Sequence, residues 1–216
     1  IYGRHVVALL WGFNVALFAA RQEVPMKYFT CALLLISSAA FAAAPENIQV
    51  CAACHGDDGS GVGYDYVPII AGTPAAHLEE ALFAYKDGAR NCVGVPVMCE
   101  AIEPLPDDVI IEMAEYYAAM PRLSSDEEFE TKMAAVGKLI HDDLCAQCHV
   151  LPTDENVEDA LGIPLNGQKS AYLRMALGAY LTGDRETLVP IMADKLRELD
   201  QNKIEALIHY YASWEQ

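Results

Sequence analysis

Cys145-Ala146-Gln147-Cys148-His149 decides the reading of this chain, together with an earlier copy of the same pattern, Cys51-Ala52-Ala53-Cys54-His55. Two thiols one helical turn apart can form thioethers with the vinyl groups of a haem while the adjacent imidazole ligates the iron. A thioredoxin-like redox pair, a zinc half-site or a chance disulfide would also use Cys-x-x-Cys, but each leaves the adjacent histidine unexplained. Two copies imply two covalently bound c-type haems, with Cys51, Cys54 and His55 at one and Cys145, Cys148 and His149 at the other.

A sixth iron ligand is expected downstream, and a methionine thioether in that position favours saturated, electron-transferring iron. Met98 follows His55 by 43 residues and Met192 follows His149 by the same 43. Methionine is more often a core filler than a ligand, so Met113, Met120, Met133 and Met175 are assigned to packing or surface, and the repeat singles out Met98 and Met192.

Around these motifs the chain repeats itself. A shift of 94 or 95 residues overlays Leu78, Ala81, Leu82, Tyr85, Gly88 and Arg90 on Leu173, Ala176, Leu177, Tyr180, Gly183 and Arg185, and Tyr116 and Tyr117 on Tyr210 and Tyr211. Duplication of one haem-binding domain explains this. Val109, Ile110, Met113 and Tyr117 recur at helical spacing, as do Ile204, Leu207, Ile208 and Tyr211, and no strand-like alternation competes. The expected fold is all-α, with domain 1 over residues 43–121 and domain 2 over 122–216, each enclosing one haem.

In the second half Ser125 and Glu128 have capping-box spacing, and Phe129, Met133, Val136, Ile140 and Leu144 trace a helical stripe running into Cys145. Gly137 within that stripe costs stability relative to alanine, which points to a close helix crossing against Tyr210 or Tyr211. Before Cys51 only about one helical turn fits after Pro45, so the first haem is expected to be the less well covered. Residues 121–130, with proline, serines and acidic side chains, mark the boundary between halves.

The N-terminus reads as export machinery. Residues 1–25 contain an apolar run at 6–20, too short and poorly bounded for a membrane span, and are read as upstream translation. Met26-Lys27, the apolar segment 32–41 and the small-x-small site Ala40-Phe41-Ala42 together make a signal peptide over 26–42. No membrane span is expected in the mature chain, and no lipid anchor is inferred at Cys31. A formal net charge of −17, more negative once residues 1–42 are removed, argues against nucleic acid as partner and suits a basic protein surface or simple solubility.

Cys92 and Cys99 remain after the motif cysteines are assigned. Export favours a disulfide between them, and a soft-metal site is the alternative. Either would stiffen the loop carrying Met98. His77, His141 and His209 read as surface or packing residues. No nucleotide fingerprint, activated nucleophile or catalytic carboxylate pair is evident, so no catalytic residue is assigned.

The haem motifs, with the runs 137–144 before Cys145 and 192–199 after it, resemble the dihaem cytochromes c shared by the cytochrome c4 family and the cytochrome subunit of flavocytochrome c sulfide dehydrogenase. The second half is more similar to the latter. That resemblance implies two class I cytochrome c domains and a periplasmic heterodimer with a separate FAD-binding sulfide dehydrogenase subunit. FAD would reside in the partner, and this chain would pass electrons to a soluble cytochrome or other acceptor. The chain would not be catalytic alone. A free-standing dihaem cytochrome serving a terminal oxidase is the alternative, and a haem enzyme with an open or replaceable iron ligand, such as a peroxidase or a thiosulfate-oxidising dehydrogenase partner, is a third.

Overall fold

The computed structural model describes residues 44–214, within one compact unit, Ala42–Gln216. The expected upstream segment and signal peptide lie outside the described residues. Among these residues eight α-helices follow in order: α1 (Ile48–His55), α2 (Ala75–Lys86), α3 (Pro96–Ile102), α4 (Asp107–Ala118), α5 (Thr131–Leu144), α6 (Ser170–Thr182), α7 (Pro190–Arg197) and α8 (Gln201–Ala212). Among the described residues no strand forms, and an isolated bridge joins Arg90 to Arg185.

The helical periodicity of the closing helices becomes two cores. In the first half α4 buries Ile110, Met113, Ala114 and Tyr117, and the last three cluster with Ile48 of α1 and Leu78 of α2. In the second, α8 buries Ile204, Leu207, Ile208 and Tyr211 against Leu173 and Leu177 of α6 and Leu196 of α7. Each such large side chain contributes roughly 1.5–3 kcal/mol on burial. The loops before α2 and α6 close alike. Gly72 (φ +63°) and Gly167 (φ +81°) take a left-handed backbone and donate their N–H groups to Tyr117 O at 2.9 Å and Tyr211 O at 2.8 Å. That conformation favours glycine, which has no Cβ to clash.

The entry helices differ between the halves. α1 spans 8 residues and already contains Cys51, Cys54 and His55, whereas α5 spans 14 and ends at Leu144, with Cys145 as its C-cap. α5 lies along α8, and Gly137 is the contact point: a Cβ there would collide with the Ala206 carbonyl and meet Tyr210 Cβ at 2.8 Å. The close crossing is therefore as expected.

The start of α5 is not where the capping box put it. Its N-cap is Glu130, and Ser125 caps nothing. Residues 122–130 instead run along the second half. Ser125 N–H bonds Gly167 O at 2.8 Å, Glu130 N–H bonds His209 Nδ1 at 3.2 Å, and Glu127 Oε2 accepts from Ser170 N–H at 2.8 Å in the first turn of α6. These tertiary partners take the groups a local cap would need. The buried stripe of α5 is accordingly Ala134, Gly137 and His141, and Val136 is 48% exposed.

The two halves meet along a reciprocal seam. Asn91 N–H donates to Asp184 O at 2.9 Å, and Glu186 N–H donates to Ala89 O at 2.8 Å. Arg90, buried, lies 4.3 Å over the Tyr85 ring and donates to Tyr172 Oη at 3.3 Å, while Arg185 lies 4.6 Å over Tyr180. Burial alone would raise the Tyr172 hydroxyl, but Arg90 and Arg185 bring it down to about 8. Arg122 Nη1 donates to Thr73 Oγ1 at 2.8 Å, and its Nη2 to Pro164 O and Asn166 O at 3.3 Å each. His77 is buried in this region, near Ala160 and Glu158 of the second half, and is a packing residue rather than a surface one.

Two candidate haem sites

Each site starts from a pair of thiols on or just beyond a helix. Cys51, Cys54, Cys145 and Cys148 are free and half-buried. Cys51 Sγ lies 3.6 Å from Met113 Sδ in the first core, and Cys145 interacts with the Tyr211 hydroxyl in the second. Burial pushes both the Cys51 and Cys145 thiols up. Each site thus presents one thiol against the closing helix and a second one turn further on, the spacing that two vinyl groups require.

The imidazoles are held in one tautomer. His55 Nδ1 lies 3.2 Å from Pro68 O, and His149 Nδ1 lies 2.8 Å from Ile163 O. A carbonyl can only accept, so Nδ1 carries the proton in both rings and Nε2 keeps a lone pair for a metal. Burial holds both imidazoles below their ordinary range, against the pull of those carbonyls. Gly162 backs the His149 ring, where a Cβ would stand 2.6 Å from two ring atoms. Neutral, oriented rings with a free Nε2, each beside two free thiols, fit a c-type haem iron. Among the described residues no group of three or more His, Cys, Asp or Glu could hold a metal ion. His55 is 6% exposed and His149 half-buried, so the shorter entry helix has not left its imidazole the less covered. His141, expected at the surface or in packing, is packed: it is 3% exposed, 3.2 Å from Tyr211 Oη and edge-on to that ring.

The two candidate methionines occupy matching positions. Pro96 opens α3 and Pro190 opens α7, each at the first helical turn, which puts Met98 and Met192 third in their helices. Proline is suited there because its missing N–H has no intrahelical partner to lose. The repeated Pro-x-Met is a signal that spacing from the histidine alone overlooks. Both methionines are half-buried, and Met192 packs against the Leu173–Leu177–Leu196 core. Beside Met98 a disulfide joins Cys92 to Cys99, with Cα atoms 6.1 Å apart, and Cys99 N–H also bonds Cys92 Sγ at 3.2 Å. The second half carries no counterpart, since Ala193 follows Met192 directly.

Sequence reasoning passed over Gln168 and Lys169, which reach from the second half into the loop opposite His55. Gln168 Oε1 accepts Ile69 N–H at 2.9 Å and Nε2 donates to Ile69 O at 2.8 Å. Lys169 Nζ donates to Gly61 O, and to Tyr64 O at 3.3 Å.

No family model matches the chain. Over 182 residues it is 30% identical to the thiosulfate dehydrogenase electron acceptor of Thiomonas intermedia, covering 76% of this chain and 80% of that protein. It is 31% identical over 183 residues to cytochrome c4 of Stutzerimonas stutzeri, covering 76% and 83%. A stretch of 78 residues, 36% of this chain, is 37% identical to cytochrome c-554(548) of Halomonas halodenitrificans and spans 93% of it. The cytochrome c4 structure from Acidithiobacillus ferrooxidans superposes with a TM-score of 0.66 at 25% identity, covering 77% of this chain and 99% of that one. The longer matches run through both halves, so the chain belongs to the dihaem electron-transfer cytochromes related to cytochrome c4 and to the thiosulfate dehydrogenase electron acceptors, with covalently bound c-type haems as its cofactors.

Proposed function

We propose that this chain is a periplasmic electron acceptor for a dehydrogenase that oxidises a reduced sulfur compound, thiosulfate in the first instance, and that it hands the electrons to a soluble acceptor. The observation that carries the reading is a pair of alike imidazole–dithiol sites in one compact unit, in a chain 30% identical to a thiosulfate dehydrogenase electron acceptor. In this assignment Cys51, Cys54, His55 and Met98 serve the domain of residues 43–121, and Cys145, Cys148, His149 and Met192 that of 122–216. A haem iron so held takes up and releases one electron at a time. The thiols would anchor the group, Nε2 of each histidine would face the iron, and Pro68 O and Ile163 O would keep each ring's other nitrogen protonated and its plane fixed. Among the described residues no helix is long and apolar enough to cross a membrane. The net charge of −17 suits docking on a basic surface.

The ligand assignment is tested with Met98→Ala and Met192→Ala. Each is expected to keep its haem attached and to lower that haem's potential by on the order of 100 mV, because the thioether favours ferrous iron. An unchanged potential would remove that methionine from the site.

A second reading rests on the runs 137–144 and 192–199, which resemble the cytochrome subunit of a sulfide dehydrogenase. Mild purification from the native host, followed by visible spectra with thiosulfate and with sulfide, separates the two. Haem reduction by thiosulfate through a flavin-free partner supports the first. Stoichiometric flavin bleached by sulfide selects the second, and reduction by neither through any co-purifying protein leaves a free-standing carrier.

A further inference from the structure

The hydrogen bond that orients His55 does not end at the carbonyl it reaches. Pro68 O accepts from His55 Nδ1 at 3.2 Å, and the N–H of that same peptide group belongs to Ile69. That N–H donates to Gln168 Oε1 at 2.9 Å, while Gln168 Nε2 donates to Ile69 O at 2.8 Å. Gln168 is 5% exposed and Ile69 2%, so water does not compete for either bond. A continuous chain therefore runs from the imidazole through one peptide plane to a side chain of the other half.

Hydrogen bonds in such chains polarise one another. Accepting the Ile69 N–H draws charge through the peptide toward Pro68 O, which makes that carbonyl the stronger acceptor for His55 Nδ1–H. A histidine whose outer N–H is more strongly held is the more basic ligand at Nε2, and a more basic ligand favours ferric iron.

The second site lacks this input by covalent structure. His149 Nδ1 bonds Ile163 O, and the next residue is Pro164, so that peptide carries no N–H. Thr73 stands where the repeat would put a counterpart of Gln168, and its hydroxyl oxygen is taken by Arg122 at 2.8 Å.

We propose that Gln168 is a cross-domain positioning residue for the first haem, which tunes the donor strength of His55 through the Pro68–Ile69 peptide. The inference rests on the reading of His55 as an iron ligand.

Three variants of the dihaem protein test it by redox titration with NMR assignment of each haem's axial histidine. Gln168→Met removes both amide bonds at similar volume. Ile69→Pro removes the N–H and copies the second site's peptide. Each is expected to raise the first haem's potential, by about threefold in the ferrous-to-ferric ratio at a fixed potential, about 28 mV for one electron, and to weaken the His55 Nδ1–H signal's downfield shift while leaving His149 unmoved. Lys169→Met loosens the same seam at Gly61 and Tyr64 without touching that peptide, and because it removes a cation that acts on His55 it is expected to lower the first haem's potential, the opposite direction. The proposal is overturned if either of the first two variants leaves the first haem's potential in place, if both haems move together, or if Lys169→Met raises the first haem's potential as they do. NMR of the wild-type protein showing no iron-bound His55 would instead remove the ligand reading itself.

Discussion

The two candidate haem sites share a ligand pattern and differ in what braces it. In the second, a 14-residue entry helix lies along α8, and Gly162 of the same half backs the histidine ring. In the first, the entry helix is 8 residues and includes the motif itself. The bracing is imported: a disulfide stiffens the methionine helix, and Gln168 and Lys169 hold the loop opposite the histidine from the other half. Alike motifs thus reach alike imidazole geometry through helix packing in one case, and through a covalent link with inter-half hydrogen bonds in the other.

Disrupting the α5–α8 crossing should break this comparison most strongly. Gly137→Leu forces a side chain into the Ala206 carbonyl. It is expected to destabilise the second half by about 3 kcal/mol or more, the upper range for overpacking, while the first haem's ligation is retained. Denaturant unfolding followed at each haem's resolved spectral band checks it, and coincident loss of both would show that the first half depends on the second for folding.

The disulfide comes next. Cys92→Ser with Cys99→Ser opens a loop of sequence separation 7, and the chain-entropy estimate for so short a loop is about 2.5 kcal/mol. The loss should appear at the first haem, where the proposed Met98 ligation becomes less stable in the alkaline spectral transition. An equal change at the second haem would remove the local role.

The smallest effect sharpens the contrast by pH. Burial holds His141 below its ordinary value of 6.5, so the unfolded chain binds the proton more readily than the native one. Its contribution is fully present above about pH 6.5 and is lost as pH falls from there through the depressed native value. Urea midpoints of the second half are expected to decline between pH 7 and 5, and His141→Gln should flatten that slope. An unaltered slope in the variant would assign the acid sensitivity to another group.

Much of this was legible in the chain because it is local or repeated. The motif pair, the 43-residue spacing to each methionine, the buried faces of α4 and α8 and the tight approach at Gly137 all follow from residue type and period. What the sequence concealed depends on partners far along the chain. Ser125 looks like a cap until Gly167 O, 42 residues on, takes its N–H. His77 reads as surface or packing alike because the residues that bury it, around Glu158 and Ala160, belong to the other half. Gln168 resembles an ordinary polar residue before α6, and its bonds to Ile69 span 99 positions. Pattern reading sees one element at a time, and these contacts exist only once two elements have docked.

The reciprocal bonds at Asn91 and Glu186 give the seam the form of an isologous contact between two subunits, here made by one polypeptide. Joining them covalently replaces a concentration-dependent association with an intramolecular one, whose effective concentration does not fall on dilution. It also releases the partners from identity. In a true homodimer any substitution is felt on both sides of the axis, so a glutamine at position 168 could not have a threonine as its counterpart. A tandem chain can therefore hold two unequal redox centres in fixed stoichiometry, and give an electron a direction that a symmetric pair could not.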